Sequence, residues 1–184
     1  MRIIAGRFRG KPLIAPADDS VRPTADRVRE SIFDILSSRV GQSFTGLRVL
    51  DLFAGTGAMG IEALSRGAES CVFVENGVEG RGIIRDHIEA FGLGGVARLL
   101  RRDATALGQS GTLGAFDLVF LDPPYGQDLA GRALTSARNG GWLKPDAIIV
   151  VEEAREAEFV LPDGFVQEDR RDYGAASVHI LSLA

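Results

Sequence analysis

The chain is poor in the residues that support disulfide and metal chemistry. Among its 184 residues are one cysteine, Cys71, and two histidines, His87 and His179. A single cysteine excludes an internal disulfide framework, and the histidines lack the spacing of a metal site. Cys71 lies in the apolar run SCVFVE, which favours a small buried residue over a reactive thiol. We therefore expect no structural metal.

Long hydrophobic runs are also lacking. No apolar run approaches the ~20 residues that cross a bilayer. No continuous apolar segment follows the first arginines, as it would in a signal peptide. We expect a cytoplasmic protein with no membrane segment, and nothing in the sequence demands more than a monomer.

Positive charge is scarce overall but concentrated at one end. The net charge of −4 argues against a uniformly basic surface for nucleic acid. However, the first 14 residues contain no acid and carry Arg2, Arg7, Arg9 and Lys11. This basic arm can still contact a phosphate backbone.

The chain divides into an N-terminal extension, residues 1–45, and an α/β domain, residues 46–184. The glycine-punctuated start of the extension is typical of a β-hairpin. A helix is expected from Pro23 onward, with its apolar face inward and the charges of Arg27, Arg29, Glu30 and Asp34 on the opposite face.

Strand and helix patterns alternate through the second part. This alternation predicts a mainly parallel, doubly wound sheet that binds ligands at the carboxyl ends of its strands. The tail indicates an antiparallel hairpin at the sheet edge. The predicted elements are strand 47–53, helix 58–66, strand 70–75, helix 78–91, strand 96–101, strand 116–121, helix 129–138, strand 147–151 and the hairpin strands 165–173 and 177–183.

The glycine-rich stretch DLFAGTGAMG, Asp51–Gly60, begins in the last residues of the first of these strands and continues beyond it. Its GxGxxG spacing, with Glu75 some 20 residues on to hold a ribose, is compatible with either NAD or S-adenosylmethionine. Asp51 would repel a pyrophosphate and suits the cationic amino-acid end of S-adenosylmethionine. Asp103, at the end of the third strand, is placed to accept from an adenine amino group. These acids favour S-adenosylmethionine.

A second motif, DPPY at Asp122–Tyr125, ends the strand FDLVFL. Methylating an exocyclic base amine requires acceptors aimed at the amine hydrogens, because its lone pair is delocalised into the ring. The Asp122 carboxylate and the Pro123 carbonyl are the candidates, and the prolines restrict the direction of that carbonyl. Tyr125 would stack on the base. A cytosine-C5 mechanism is disfavoured because it needs a cysteine at this turn.

These motifs resemble the RsmD-type family of bacterial methyltransferases, which modify guanine N2 in small-subunit (16S) ribosomal RNA. The resemblance covers nearly the whole chain. RIIAGRFRGKPL and RPTADRVRESIFDIL, in this order before the fold, are its more specific parts; DLFAGTGAMGIEALSRGA and VFLDPPY are widely shared. It implies a seven-stranded Rossmann-like sheet and, as substrate, RNA within an assembling 30S particle.

The resemblance also implies roles for individual residues. The methionine end of the cofactor would lie among Asp51, Phe53, Ala54, Gly55 and Gly57. The ribose would be held by Glu75, the adenine by Asp103 and Ala104, and the target guanine by Asp122, Pro123, Pro124 and Tyr125. The substrate-binding set would be Arg7, Arg9, Lys11, Arg22, Thr24 and Arg27, the last three near the mouth of the site.

Three other functions remain open on the residues alone. A DNA adenine-N6 methyltransferase would use the same DPPY chemistry, although no separate target-recognition domain is evident. A non-catalytic Rossmann-type binding module has no need of the DPPY acceptor edge. An NAD-dependent oxidoreductase would share the glycine-rich turn.

Overall fold

The computed structural model describes residues 1–17 and 23–184, except for the side chains of residues 23 and 24. Over this range four helices and seven strands alternate much as the periodicity predicts. The helices are α1 (Pro23–Arg39), α2 (Ala58–Ser65), α3 (Val78–Ala90) and α4 (Leu129–Asn139). The strands are β1 (Arg48–Leu52), β2 (Ser70–Val74), β3 (Ala97–Leu100), β4 (Phe116–Leu121), β5 (Leu143–Ala154), β6 (Phe165–Tyr173) and β7 (Ala176–Leu183).

One seven-stranded sheet organises the molecule, in the order β3-β2-β1-β4-β5-β7-β6. The first five strands in this order are parallel, and β7 pairs antiparallel with both β5 and β6. This is the expected Rossmann-like sheet with a C-terminal antiparallel hairpin. The order reverses between β1 and β4, and ligands bind at such a switch point in open α/β sheets.

Apolar side chains cover both faces of the sheet. One cluster packs α1, α2 and α3 against Val49, Phe73, Phe120 and Val150. The other packs α4 against the alternate residues of the same strands, such as Leu50, Leu121 and Val151. Because successive side chains of a strand point to opposite faces, each strand contributes to both clusters.

The N-terminal extension shares the first of these clusters. Ile3 and Leu13 are buried with Val28 and Ile32 of α1 and with the sheet. The predicted hairpin is present as a single antiparallel bridge between Arg2 and Pro12, closed by backbone hydrogen bonds such as Ile3 N–H to the Lys11 carbonyl at 3.0 Å. The extension therefore packs as part of the same core.

Candidate active site

A cleft of about 510 Å³ opens at the carboxyl ends of β1 and β4, the switch point of the sheet. Its floor includes residues that follow these strands, and the N-terminal extension, α1 and the β6–β7 turn form its walls. The motifs Asp51–Gly60 and Asp122–Tyr125, separated by about 70 positions in sequence, meet there. Members of both that line the cleft are Asp51, Phe53, Ala54, Gly55, Thr56, Ala58, Met59, Asp122 and Tyr125.

The glycine-rich turn adopts a backbone that its sequence permits. Gly55 and Gly57 have φ angles of 58° and 80°, which glycine adopts at little cost. Phe53 has a φ of 54°, uncommon for an aromatic residue and typical of strain held at functional sites. Gly60 serves packing instead, since a Cβ there would lie 2.4 Å from a Phe73 ring carbon. The first two glycines shape the turn, and the third lets α2 approach β2.

Glu75 braces this turn from the end of β2. Its Oε1 accepts from the Gly55 N–H at 2.7 Å, and its Oε2 accepts from the Gly77 N–H at 2.7 Å. A carboxylate has about four lone-pair sites, so these two bonds leave capacity for hydroxyl donors. Glu75 can thus shape the turn and accept from a ribose at the same time.

Asp51 is the buried acid of the cleft. The residue is 3% exposed, and its Oδ2 accepts from the Gly60 N–H of α2 at 3.0 Å. Burial raises the pKa of Asp51 to about 8, the hydrogen bond from Gly60 lowers it, and the charge of Glu75 raises it. A buried carboxylate of this kind is stabilised by a bound cation.

Asp122 lies in the same acidic environment. The residue is open to the cleft, but surrounding protein atoms displace water from its carboxylate and raise its pKa well above the usual value. The charges of Glu152, Asp51 and Glu153 add to this shift. The carboxyl groups of Asp51 and Asp122 therefore tend to keep a proton, and a ligand that brings positive charge or hydrogen-bond donors would favour their ionised, accepting form.

Tyr125 presents its ring at the mouth of the cleft, with 42% of its surface exposed. Its hydroxyl donates to Glu152 Oε1 of β5 at 3.4 Å. Pro123 is buried and Pro124 exposed at the turn itself. The arrangement of an acid, two prolines and an exposed aromatic ring suits a flat, donor-bearing ligand.

Arg29 was predicted on the outer face of α1, and that prediction is wrong. The residue is 3% exposed and lines the cleft. Its guanidinium contacts Asp26 at 3.1 Å and Glu62 at 3.5 Å and donates to the carbonyl of Arg2. Those acceptors stabilise a buried charge that helical periodicity alone would place in solvent.

Glu62 is a structural residue that sequence reasoning missed. It is fully buried in α2 and accepts from the Ile4 and Ala5 N–H groups at 2.8 and 3.1 Å. Arg66 donates to it at 3.0 Å. The signal was present as a lone acid within the apolar stretch GIEALS. Glu62 thereby fastens the extension to the helix that follows the glycine-rich turn.

His87 of α3 makes a second link between the extension and the turn. Nε2 accepts from the Ile14 N–H at 2.8 Å, and Nδ1 contacts the Thr56 carbonyl at 2.9 Å. A carbonyl only accepts, so Nδ1 carries the proton and Nε2 is the acceptor. Burial lowers the pKa of His87, outweighing the effects of the Thr56 carbonyl and of Asp86. Sequence reasoning gave this neutral histidine no role.

The basic arm forms a patch with two aromatic rings. Arg7, Arg9 and Lys11 are exposed. The Arg7 guanidinium lies 4.5 Å from the centroid of Phe8, and the Lys11 ammonium lies 5.4 and 5.9 Å from the centroids of Phe8 and Phe91. Cation–π contacts hold the charges of Arg7 and Lys11 in place while leaving them accessible.

Some predicted site residues lie apart from the cleft. Asp103 is exposed beyond β3, where Oδ1 accepts from both the N–H and the hydroxyl of Thr105, and these bonds lower its pKa. Ala104 is buried beside it. Arg27 is exposed on α1, and Arg22 and the side chain of Thr24 fall outside the described residues. The residues that line the cleft, within the described ranges, do not include Glu75, Asp103, Ala104 or Arg27.

The described part of the chain holds neither a membrane-spanning helix nor a metal-ligating cluster. Its helices are too short or too polar to cross a membrane. No group of three or more His, Cys, Asp or Glu side chains in residues 1–17 and 23–184 is arranged to hold a metal ion.

Comparison with known proteins places the chain in a family. The family model described as "Conserved hypothetical protein 95" matches residues 1–182. YlbH of Bacillus subtilis (strain 168) is 38% identical over 98% of this chain and 97% of its own. Ribosomal RNA small subunit methyltransferase D of Haemophilus influenzae is 32% identical over 98% of this chain and 92% of its own. The solved structure of yhhF from Escherichia coli has a TM-score of 0.85 at 31% identity, covering 100% of this chain and 97% of that one. The chain therefore belongs to the RsmD family of ribosomal RNA methyltransferases.

Proposed function

We propose that this protein transfers a methyl group from S-adenosylmethionine to the exocyclic N2 amine of a guanine in small-subunit (16S) ribosomal RNA. The observation that carries the proposal is one cleft holding both the glycine-rich turn with Asp51 and the DPPY turn with Tyr125. Relatives named ribosomal RNA small subunit methyltransferase D support the RNA class. With a ribosomal substrate, the reaction would take place in the cytoplasm.

The residues at the glycine-rich turn fit S-adenosylmethionine. Asp51 would face the cationic end of its methionine, and a nearby cation would stabilise the carboxylate form of this buried acid. Glu75 retains lone pairs for ribose hydroxyls. Asp103 and Ala104, at the end of the next strand of the sheet, would take the adenine. When bound, the cofactor supplies an electrophilic methyl group.

The DPPY turn would hold the base that receives this methyl group. Asp122 and the carbonyl of Pro123 would accept from the amine hydrogens, which turns the nitrogen lone pair out of the ring plane. Tyr125 would stack on the base, worth ~1–3 kcal/mol. This nitrogen would receive the methyl group from the bound cofactor, and Asp122 or water would then accept the one proton that the amine releases. Positioning supplies much of the acceleration, so Asp122 need not be a strong base.

The basic patch would dock the RNA backbone. Arg7, Arg9 and Lys11 lie in the extension that also walls the cleft, so phosphate contact there would place a nearby base at the DPPY turn. Arg22, Thr24 and Arg27 would extend this contact toward the mouth. The patch is small, which suits a structured substrate such as an assembling 30S particle that presents one unpaired base.

The test is incubation of the purified protein with methyl-labelled S-adenosylmethionine and three substrates. These are small ribosomal subunits, naked 16S RNA and duplex DNA, all from a strain lacking the corresponding gene. Digestion to nucleosides then identifies the methylated base.

Label in N2-methylguanosine from ribosomal RNA supports the proposal. Label in N6-methyladenine from DNA would show instead that the protein is a DNA adenine-N6 methyltransferase. If the cofactor binds but no substrate takes up label, the proposed substrates are wrong. The interpretation that remains is a non-catalytic binding module.

A further inference from the structure

Glu152, near the end of β5, stands next to the DPPY turn. In the parallel pair of β4 and β5, Leu121 lies opposite Val151. Both of these side chains belong to the core cluster of the α4 face. The next residues, Asp122 and Glu152, follow at the same level and line the cleft on the other face. Two carboxylates are thus presented from adjacent strands.

Tyr125 lines the same part of the cleft as these two acids. Its hydroxyl donates to Glu152 Oε1 at 3.4 Å, and its ring is exposed in the same cleft. Of the charged groups that act on Asp122, Glu152 has the largest effect. A base stacked on Tyr125 would therefore present its polar edge to both carboxylates.

The purines differ in what that edge offers. Guanine presents a row of donors, N1–H and the N2 amine, whereas adenine presents its N6 amine beside the N1 lone pair. Hydrogen-bond donors such as these favour the ionised form of a carboxyl group, and an ionised carboxylate only accepts hydrogen bonds. Two neighbouring carboxylates therefore complement guanine, and adenine would set its N1 lone pair against one of them.

We propose that Glu152 determines specificity for guanine by accepting from N1–H while Asp122 holds the N2 amine. This inference rests on the proposed function and deepens it. It gives a role to Glu152, an acid beside the DPPY turn that methyl transfer to an amine does not itself require.

2-Aminopurine tests the contact directly, because it keeps the N2 amine but carries a lone pair at N1. Once the wild-type reaction has located the modified nucleotide, that position is filled with guanine or 2-aminopurine by splinted ligation. The relative kcat/KM for the two RNAs is then measured for the wild type, Glu152→Gln and the exposed control Glu156→Gln.

Wild type and Glu156→Gln are expected to favour guanine by on the order of 10²-fold, since a site built to accept a hydrogen bond rejects the analogue lacking the donor. In Glu152→Gln the amide N–H can donate to the 2-aminopurine N1, so the preference should narrow by at least about tenfold or invert. Cofactor affinity should be unchanged. If Glu152→Gln fails to fold, Glu152→Ala is measured in its place. The expected ratio of kcat/KM for guanine RNA to that for 2-aminopurine RNA is then near one.

An unchanged preference for guanine in folded Glu152→Gln or Glu152→Ala overturns the inference while leaving the proposed function intact. The proposed function itself fails at an earlier step, when wild-type protein labels no N2-methylguanosine in ribosomal RNA. The two failures are therefore distinguishable.

Discussion

At the scale of single residues, Asp122 carries the proposed chemistry. We expect Asp122→Ala to lower methyl transfer by about 10²–10³-fold, because it removes an acceptor that acts on the amine during transfer. Cofactor binding should stay nearly intact, since Asp51 and the glycine-rich turn remain. Single-turnover transfer rates and calorimetry with the cofactor measure the two effects. Asp146→Asn, exposed on β5, is the control; full activity in Asp122→Ala would contradict the mechanism.

Asp51 makes stability depend on pH in a direction opposite to that of most paired carboxylates. Its pKa rises from 3.8 to about 8 in the folded protein, chiefly through burial. Between these values the folded state binds more protons than the unfolded state, so stability falls as pH rises. We expect wild type to lose stability relative to Asp51→Asn by up to about 1.4 kcal/mol per pH unit in this window. Urea denaturation at pH 5.5 and 7.5 measures the difference. If the free energy of unfolding changes equally with pH in wild type and Asp51→Asn, the Asp51 carboxyl is not desolvated.

At the scale of secondary-structure elements, α2 holds the extension through the buried carboxylate of Glu62. Glu62→Gln removes a charge that compensates Arg29 and weakens bonds to the Ile4 and Ala5 N–H groups. We expect a loss of about 3–5 kcal/mol in the free energy of unfolding, typical of breaking a buried ion pair. Chemical denaturation measures it, with the exposed Glu69→Gln as the matched control. Equal stability of the two variants would mean that the extension is held without this charge.

His87 makes the contact between the extension and α3 sensitive to acid. Because burial lowers its pKa, the stability it contributes is present above about pH 6.5 and is lost as pH falls through the lowered value. Protonation removes the Nε2 acceptor of the Ile14 N–H. We expect the hydrogen-exchange protection of Ile14 to fall between pH 7.5 and 5.5, after correction for intrinsic rates. The Ile4 N–H, bonded to Glu62, is the internal control, and equal changes at both amides would contradict the role of His87.

At the scale of the whole molecule, charge is distributed unevenly on an acidic protein. If the basic patch binds phosphate, Arg7→Ala combined with Arg9→Ala should reduce the salt slope of RNA binding by about 2, one for each arginine–phosphate interaction removed. Binding measured between 50 and 200 mM salt gives the slope. Arg132→Ala with Arg138→Ala, on α4 at the opposite face of the sheet, is the control pair. An unchanged slope in the first pair would exclude the arm from the RNA footprint.

Most of the architecture was predictable because strands and helices bury apolar residues at different periods. Strands β4 and β6 match their predicted bounds, and most other elements differ from theirs by one residue at an end. β5 is the largest exception: it begins at Leu143 rather than 147 and extends to Ala154. The register with β4 shifts between Phe116 and Leu118, where Lys144 contacts Asp117 at 3.0 Å, so the early part of β5 contains an irregularity that the apolar run does not indicate.

The candidate site was predictable in part. Asp51, Phe53, Gly55, Asp122 and Tyr125 all line one cleft, as their positions at or just beyond strand ends suggested. Arg29, Glu62 and His87 were misplaced or missed because each is buried by partners distant in sequence. Periodicity reports which face of an element is apolar, and it carries no information on a polar group compensated across the fold.

The local pattern of the chain was enough to establish the α/β class, the order of the elements and the two motifs at strand ends. These follow from short-range physics: alternation of apolar residues, glycine conformations and proline geometry. The packing of the extension against α2 and α3, the charge pairing of Arg29 and the juxtaposition of Glu152 with Asp122 depend on folding. They arise from contacts between residues 27 to 73 positions apart and between neighbouring strands. Burial removes these charged groups from water, so their charged forms must be stabilised by partners that only the folded chain supplies.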